Sequence, residues 1–325
     1  MAAEQFRRDR IASLVDLTDG VGLEIGPLDR AFALRPESDV RYVDVRSTEE
    51  IRKHYADDVN VDCAAIVDID FTLYDETGEI RSLAKAAKRD APYRWVIASH
   101  VIEHVPDLVG WLADIAELLD DDGRLALIVP DRRFTFDVIR PPTTVGELLQ
   151  AHLSHDAVPS VRAVYDYTRS IVHADAGTLW SGFPADPDDR YYTREEALAN
   201  AERAARNEYV DSHVWTFTPS EFVQQLDELS SIGKCDFVIE SVVPTMRNEL
   251  EFSVALRRIP RTASSEEADA LRRSSVRTLE TTELPTEAAP EPAPNPGFAI
   301  TPREVRLIRL KRRVVAPIRA RLRRS

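Results

Sequence analysis

Five short apolar runs, separated by longer stretches with helical patterning, organise residues 20–130: GVGLEIG (20–26), VRYVDV (40–45), AAIVDID (64–70), YRWVIAS (93–99) and RLALIVP (124–130). Near-continuous apolar runs of this length read as strands covered on both faces. Helices between consecutive strands imply parallel pairing through right-handed crossovers. Before the last run, DLVGWLADIAELL shows the helical pattern, with Leu108, Trp111, Leu112, Ile115 and Leu119 forming one apolar stripe. A further helix is expected over 5–17, with Phe6, Ile11, Leu14 and Val15 on one face. The fold class that follows is α/β, a doubly wound, Rossmann-like, mostly parallel sheet.

After Pro130 the strand rhythm stops. TVGELLQAHL, SVRAVYDYTRSIV and TREEALANAERAARN read as helices, and FPADPDD (183–189) as a turn-rich loop. A connection spanning 131–217 is long enough to expect a function, here a helical lid that builds an acceptor pocket. Thr218-Pro219-Ser220-Glu221 carries the signature of a capping box that opens another helix. DFVIESVV (236–243) and ELEFSVALRRI (249–259) then predict a terminal antiparallel hairpin, closing a domain over 1–258.

Residues 259–302, rich in Pro, Thr, Glu and Ala, are expected to be a disordered linker. The chain ends in a basic tail, 303–325, with ten Lys or Arg against one acid, Glu304. The whole chain nevertheless carries a net charge of −14, so its acid excess lies in the body. That excess argues against general nucleic-acid binding by the main domain. In the tail, Val305, Ile308, Val315, Ile318 and Leu322 fall on one side of a helical pattern that Pro317 interrupts. Basic amphipathic segments suit an anionic membrane surface or an assembly partner. Cys63 and Cys235 belong to no C-x-x-C pair, and no apolar run approaches the ~18 residues of a membrane span. The expected location is cytoplasmic, with peripheral contact at the inner face of the membrane through the tail.

The first strand ends in Glu24-Ile25-Gly26-Pro27-Leu28-Asp29-Arg30. A glycine there lets the backbone approach a ligand, and a following helix would present free N–H groups. Asp44 ends the second strand, placed to accept from both hydroxyls of a ribose, and Asp70 ends the third, where an acid can meet an adenine amino group. Only Gly26 occupies this turn, which argues against the G-x-G-x-x-G of a nicotinamide dehydrogenase. No cluster has convincing metal-ligand spacing, so no metal is expected.

GLEIGP, YVDV, VDID and VIASHVIEHVPDLVGWLADIAELLDDDGRLALIVP, in this order, resemble a class I S-adenosylmethionine-dependent methyltransferase. The likeness covers roughly 15–258. It extends to methyltransferase-domain proteins with ASHVIEH after the fourth strand and D-[KR]-R-[FY]-T-F-D after the fifth, here Asp131-Arg132-Arg133-Phe134-Thr135-Phe136-Asp137. The resemblance implies S-adenosylmethionine as cofactor, with Glu24 and Gly26 at the first loop, Asp44 on the ribose and Asp70 on the adenine. It puts Ser99 and His100 beside the methionine part and the acceptor. Leu28 and Arg30 stand where two further glycines commonly sit. Glu103 is read as a brace for the next helix, and His104 as a partly buried imidazole.

Methyl transfer needs an in-line acceptor, and an alcohol acceptor needs a base. His213, His173, Asp131 and Asp166 are the candidates. His213 is preferred because it lies where the insertion returns to the sheet, with Arg133 orienting acceptor oxygens and Asp131 beginning the insertion. The resemblance implies companions of glycosyltransferases in cell-surface polysaccharide assembly. That suggests O-methylation of a sugar or glycan hydroxyl, while another small acceptor fits the residues equally. The alternative is a catalytically inactive methyltransferase-like scaffold recruited through its basic tail.

Overall fold

The computed structural model describes residues 2–280. Most of the expected linker and the whole basic tail lie outside them. In chain order the elements are α1 (Ala2–Ala12), β1 (Val21–Ile25), β2 (Asp39–Asp44), α2 (Thr48–Tyr55), β3 (Phe71–Thr72), α3 (Leu83–Ala87), β4 (Tyr93–Ser99), α4 (Leu108–Leu118) and β5 (Leu119–Pro130). The insertion contributes α5 (Val145–Ser154), α6 (Val161–Ser170), α7 (Ala176–Trp180) and α8 (Arg194–Ala204). Then come α9 (Pro219–Ser231), β6 (Phe237–Val243), β7 (Glu251–Arg258) and α10 (Ser265–Glu280).

The strands form one sheet in the order β3-β2-β1-β4-β5-β7-β6. The first five pair in parallel, while β7 runs antiparallel to both β5 and β6. Alternate side chains feed two cores. Leu23, Val96, Leu125, Leu127 and Val254 pack with Leu112 and Ile115 of α4 and Phe222 and Leu226 of α9. On the other face Val40, Trp95, Ile97, Ala126, Ile128 and Ala255 pack with Ile11, Leu14 and Phe32. Cover on both faces is the physical reason the strands read as unbroken apolar runs. Gly22 of β1 is needed for close approach: a Cβ there would lie 2.1 Å from the Trp95 indole. The Thr218–Glu221 capping box forms as its sequence predicts, with Pro219 in the first turn of α9.

Three expectations are corrected. The third run, 64–70, is not a strand; the ladder begins only at Phe71. Ile66 packs with Ile51 of α2, and side chains take part of the backbone of the run in place of a ladder. Arg52 donates to the Ile66 carbonyl at 2.7 Å, and the Ile69 N–H donates to Thr48 Oγ1 at 2.8 Å. No helix follows β1; residues 26–38 are a loop, because the buried Glu24 carboxylate takes the Phe32 and Ala33 N–H groups and folds the chain back. The expected linker begins with a helix, α10, whose Ala268 packs on Val238 and Ile259 while Ser275 bonds the backbone of Ile239.

The two ends of the insertion meet. Arg132 N–H donates to the Phe217 carbonyl at 2.9 Å, and Asp131 bridges Phe217 in parallel. Among the described residues no helix is long and apolar enough to cross a membrane.

Candidate active site

The carboxyl ends of β1, β2, β4 and β5 lie along one edge of the sheet. At the end of β1, Gly26 takes φ +64°, a conformation open to glycine and strained for other residues, and its N–H donates to Val43 O at 2.9 Å. Asp44 ends the neighbouring strand, half-buried, and its Oδ1 accepts from Val45 N–H at 2.6 Å. Glu24 is buried within β1, and its carboxylate accepts from Phe32 and Ala33 N–H at 2.9–3.1 Å. Burial pushes its pKa up to about 7, against the pull of those two bonds. Glu24 therefore shapes the loop after β1 from within. Asp70 is engaged with the Arg35 guanidinium and with Tyr42 N–H, the latter at 2.8 Å. An adenine amino group would have to compete with both.

Ser99 ends β4 opposite Ile128. His100 follows with φ +54° and bridges two strands: its N–H donates to Ile128 O at 3.0 Å, and its Nε2 lies 2.6 Å from Glu251 Oε2 at the start of β7. Arg10 of α1 closes this network on Glu251 at 3.2 Å.

Asp131 is fully buried. It accepts from Arg133 Nη2 at 2.7 Å, from Arg133 N–H at 3.0 Å and from Thr245 Oγ1 at 2.7 Å. A carboxylate so committed fastens the start of the insertion and aims Arg133, which is half exposed. The Arg133 guanidinium lies over Phe134, which stacks on Trp180 of α7 at 3.9 Å between ring centroids.

His213 is buried at the other end of the insertion. Its Nδ1 lies 2.6 Å from Asp137 Oδ2, and Asp137 Oδ1 accepts from Arg140 at 2.7 Å. Burial opposes ionisation of Asp137, but His213 and Arg140 outweigh it and hold the carboxyl below its ordinary pKa. The ring of His213 meets His104 edge-on at 4.7 Å and lies 4.8 Å from Phe136. Val214 N–H donates to the Glu103 carbonyl at 2.6 Å, and Trp215 Nε1 to Val105 O at 2.7 Å, so the returning chain is pinned to the segment after β4.

The structure thus brings His213 to Glu103 and His104. One ligand-capable atom from each of the three lies within 4.8 Å of the others. His173 instead pairs with Asp189 and lies tilted against the Tyr191 ring, and Asp166 pairs with Arg162; neither joins this cluster. From sequence alone Glu103 and His104 read as structural. The available signal was local: His100, Glu103 and His104 fall within one turn after β4, and Ile102–His104 form a 3-10 turn there. The partner that completes the group, His213, is distant in sequence, and no spacing rule reaches it.

A family model described as "Methyltransferase domain" matches residues 5–229. No curated protein matches the chain. Among solved structures the chain is similar to the mitomycin 7-O-methyltransferase MmcR, at 14% identity over 79% of this chain and 54% of that one, with a TM-score of 0.37. It is also similar to a SAM-dependent methyltransferase from Aquifex aeolicus, at 11% identity over 78% and 91%, with a TM-score of 0.37. A third is the magnesium protoporphyrin IX methyltransferase of Synechocystis PCC 6803 with bound SAH, at 13% identity over 79% and 82%, with a TM-score of 0.35. The chain spans about half the length of MmcR. At these TM-scores none of the three bears on activity.

Proposed function

The chain belongs to the methyltransferase-domain family, the class I S-adenosylmethionine-dependent methyltransferases, and from that premise we propose that it methylates a hydroxyl oxygen of a sugar, a glycan fragment or another small acceptor. The cofactor supplies an electrophilic methyl group on a sulfonium, which departs as a neutral thioether. Gly26 and Asp44 fit its binding: the first lets the backbone come close, and the second offers a carboxylate at the neighbouring strand end for the ribose hydroxyls. Glu24 acts through the loop it holds, and Ser99 and His100, at the end of β4, would border the methionine part of the cofactor and the acceptor.

The observation that carries the reading is the buried Asp137–His213 pair where the insertion returns to the sheet. Asp137 occupies Nδ1 and so presents Nε2 as the nitrogen that meets the acceptor. As the acceptor oxygen gains the methyl group it loses its proton, and Nε2 receives it. Arg133, held by Asp131 at the other end of the insertion, orients acceptor oxygens. An insertion over this edge excludes water and strengthens each polar contact beneath it.

The test is a screen of sugar nucleotides, glycan fragments and small alcohols with S-adenosylmethionine, read as a methyl gain by mass. For an acceptor found this way, His213→Ala should keep cofactor affinity and lose turnover by ~10²-fold or more, the contribution of a positioned base. Cofactor binding with no methyl gain on any acceptor would favour the scaffold reading instead.

A further inference from the structure

Glu103 is fully buried, and neither of its carboxylate oxygens accepts a hydrogen bond among the described residues. Its nearest basic atoms are His100 Nδ1 at 3.6 Å and His104 Nε2 at 3.9 Å, too far for hydrogen bonds. A carboxylate kept from water without such partners is costly, and chains retain one where something else meets it. What faces it is a second and a third donor, His104 and His213.

Each of these histidines has a carboxylate behind it. Asp137 Oδ2 lies 2.6 Å from His213 Nδ1 and is itself fixed by Arg140. Asp211 Oδ1 lies 2.9 Å from His104 Nδ1, an ion-pair distance without hydrogen-bond alignment. A carboxylate on the far nitrogen orients a metal-ligating imidazole and raises its basicity. Three donors of the His, His, Glu type are the protein ligand set of a catalytic site for a zinc-class divalent cation.

We propose that Glu103, His104 and His213 hold a divalent transition cation at the sheet edge, where it coordinates the acceptor hydroxyl. The inference rests on the methyl-transfer reading above and changes one part of it. With the cation bound, His213 is a ligand and not the base. Coordination would lower the pKa of the acceptor hydroxyl, so that it gives its proton to a water that enters with it, and the oxygen would then take the methyl group as the sulfonium leaves as a neutral thioether.

The experiment titrates the full-length chain, stripped with a chelator, with Co²⁺ and Zn²⁺ in the absence of acceptor. Co²⁺ is followed by its visible absorption and Zn²⁺ by calorimetry. The expected result is one ion per chain, with Glu103→Gln and His213→Ala each weakening binding by at least ~10-fold. Asp137→Asn, which spares all three ligands, should weaken it by ~10- to 100-fold. His173→Ala should leave it unchanged. S-adenosylmethionine binding, measured on every variant, identifies any that fail to fold. Absence of ion binding by the unmutated chain overturns the site, as does binding that the Glu103, His213 and Asp137 variants leave intact. Those results leave the methyl-transfer reading standing, because the screen for methyl gain does not depend on them. A chain that binds the ion yet methylates no hydroxyl retains the metal site and loses that reading.

Discussion

Two carboxylates at the residue scale show how the same side chain serves different ends by burial. Asp44 sits half-buried at a strand end, where a ligand can reach it. Asp44→Ala removes a hydrogen-bonding carboxylate, worth ~1.5–3 kcal/mol, so S-adenosylmethionine affinity should fall roughly ten- to a hundredfold in a calorimetric titration. Glu24 lies inside, its pKa raised from 4.5 to about 7 by burial. Between those values the folded chain keeps a proton that the unfolded chain has released. Stability therefore declines as pH rises from about 4.5 to about 7, and the loss is complete above that. The shift corresponds to ~3 kcal/mol. Glu24→Gln stays neutral throughout, so its stability relative to the unmutated chain should improve across this window. Parallel pH profiles for the two proteins would refute the assignment.

Elements show where local signals suffice. The capping box of α9 was legible because its partners are three residues apart, and Thr218 Oγ1 accepts from Glu221 N–H at 3.3 Å. Thr218→Ala should cost ~1 kcal/mol, read as a lower urea midpoint with unchanged slope. An unchanged midpoint would mean that the buried face of α9, with Phe222 and Leu226, fixes its start without the cap. Residues 64–70 show where local signals mislead. An apolar run under α2 looks the same in sequence as one in a sheet, since both are buried; Thr48 and Arg52, which satisfy part of its backbone, belong to another element. α10 was obscured differently, by a neighbouring composition rich in proline that begins only after its end.

At the scale of the whole molecule, charge and topology divide the work. The sheet order brings the ends of β1, β2, β4 and β5 to one edge, and the insertion leaves and returns there. The basic tail carries its own expectation, since it opposes an acidic body. Contact with an anionic surface contributes ~1 kcal/mol per nearby basic residue. Removing residues 303–325 should abolish sedimentation with phosphatidylserine vesicles at low salt. Retained sedimentation would assign membrane contact to the body or exclude the tail from it.

The alternation of apolar runs with helical stretches was enough to determine the α/β class, the parallel sheet and the closing hairpin, because covered strands leave a pattern within a few residues. It also placed Gly26, Asp44 and Ser99 at strand ends. Only the tertiary structure decided how side chains are employed. Glu24 and Asp131 are consumed by N–H groups and a guanidinium, and Asp70 is claimed by Arg35. Glu103 faces two histidines, one of which arrives from the far end of the insertion. Hydrogen bonding and ligation depend on distances of a few ångströms between residues far apart in the chain, and periodicity carries no record of such distances.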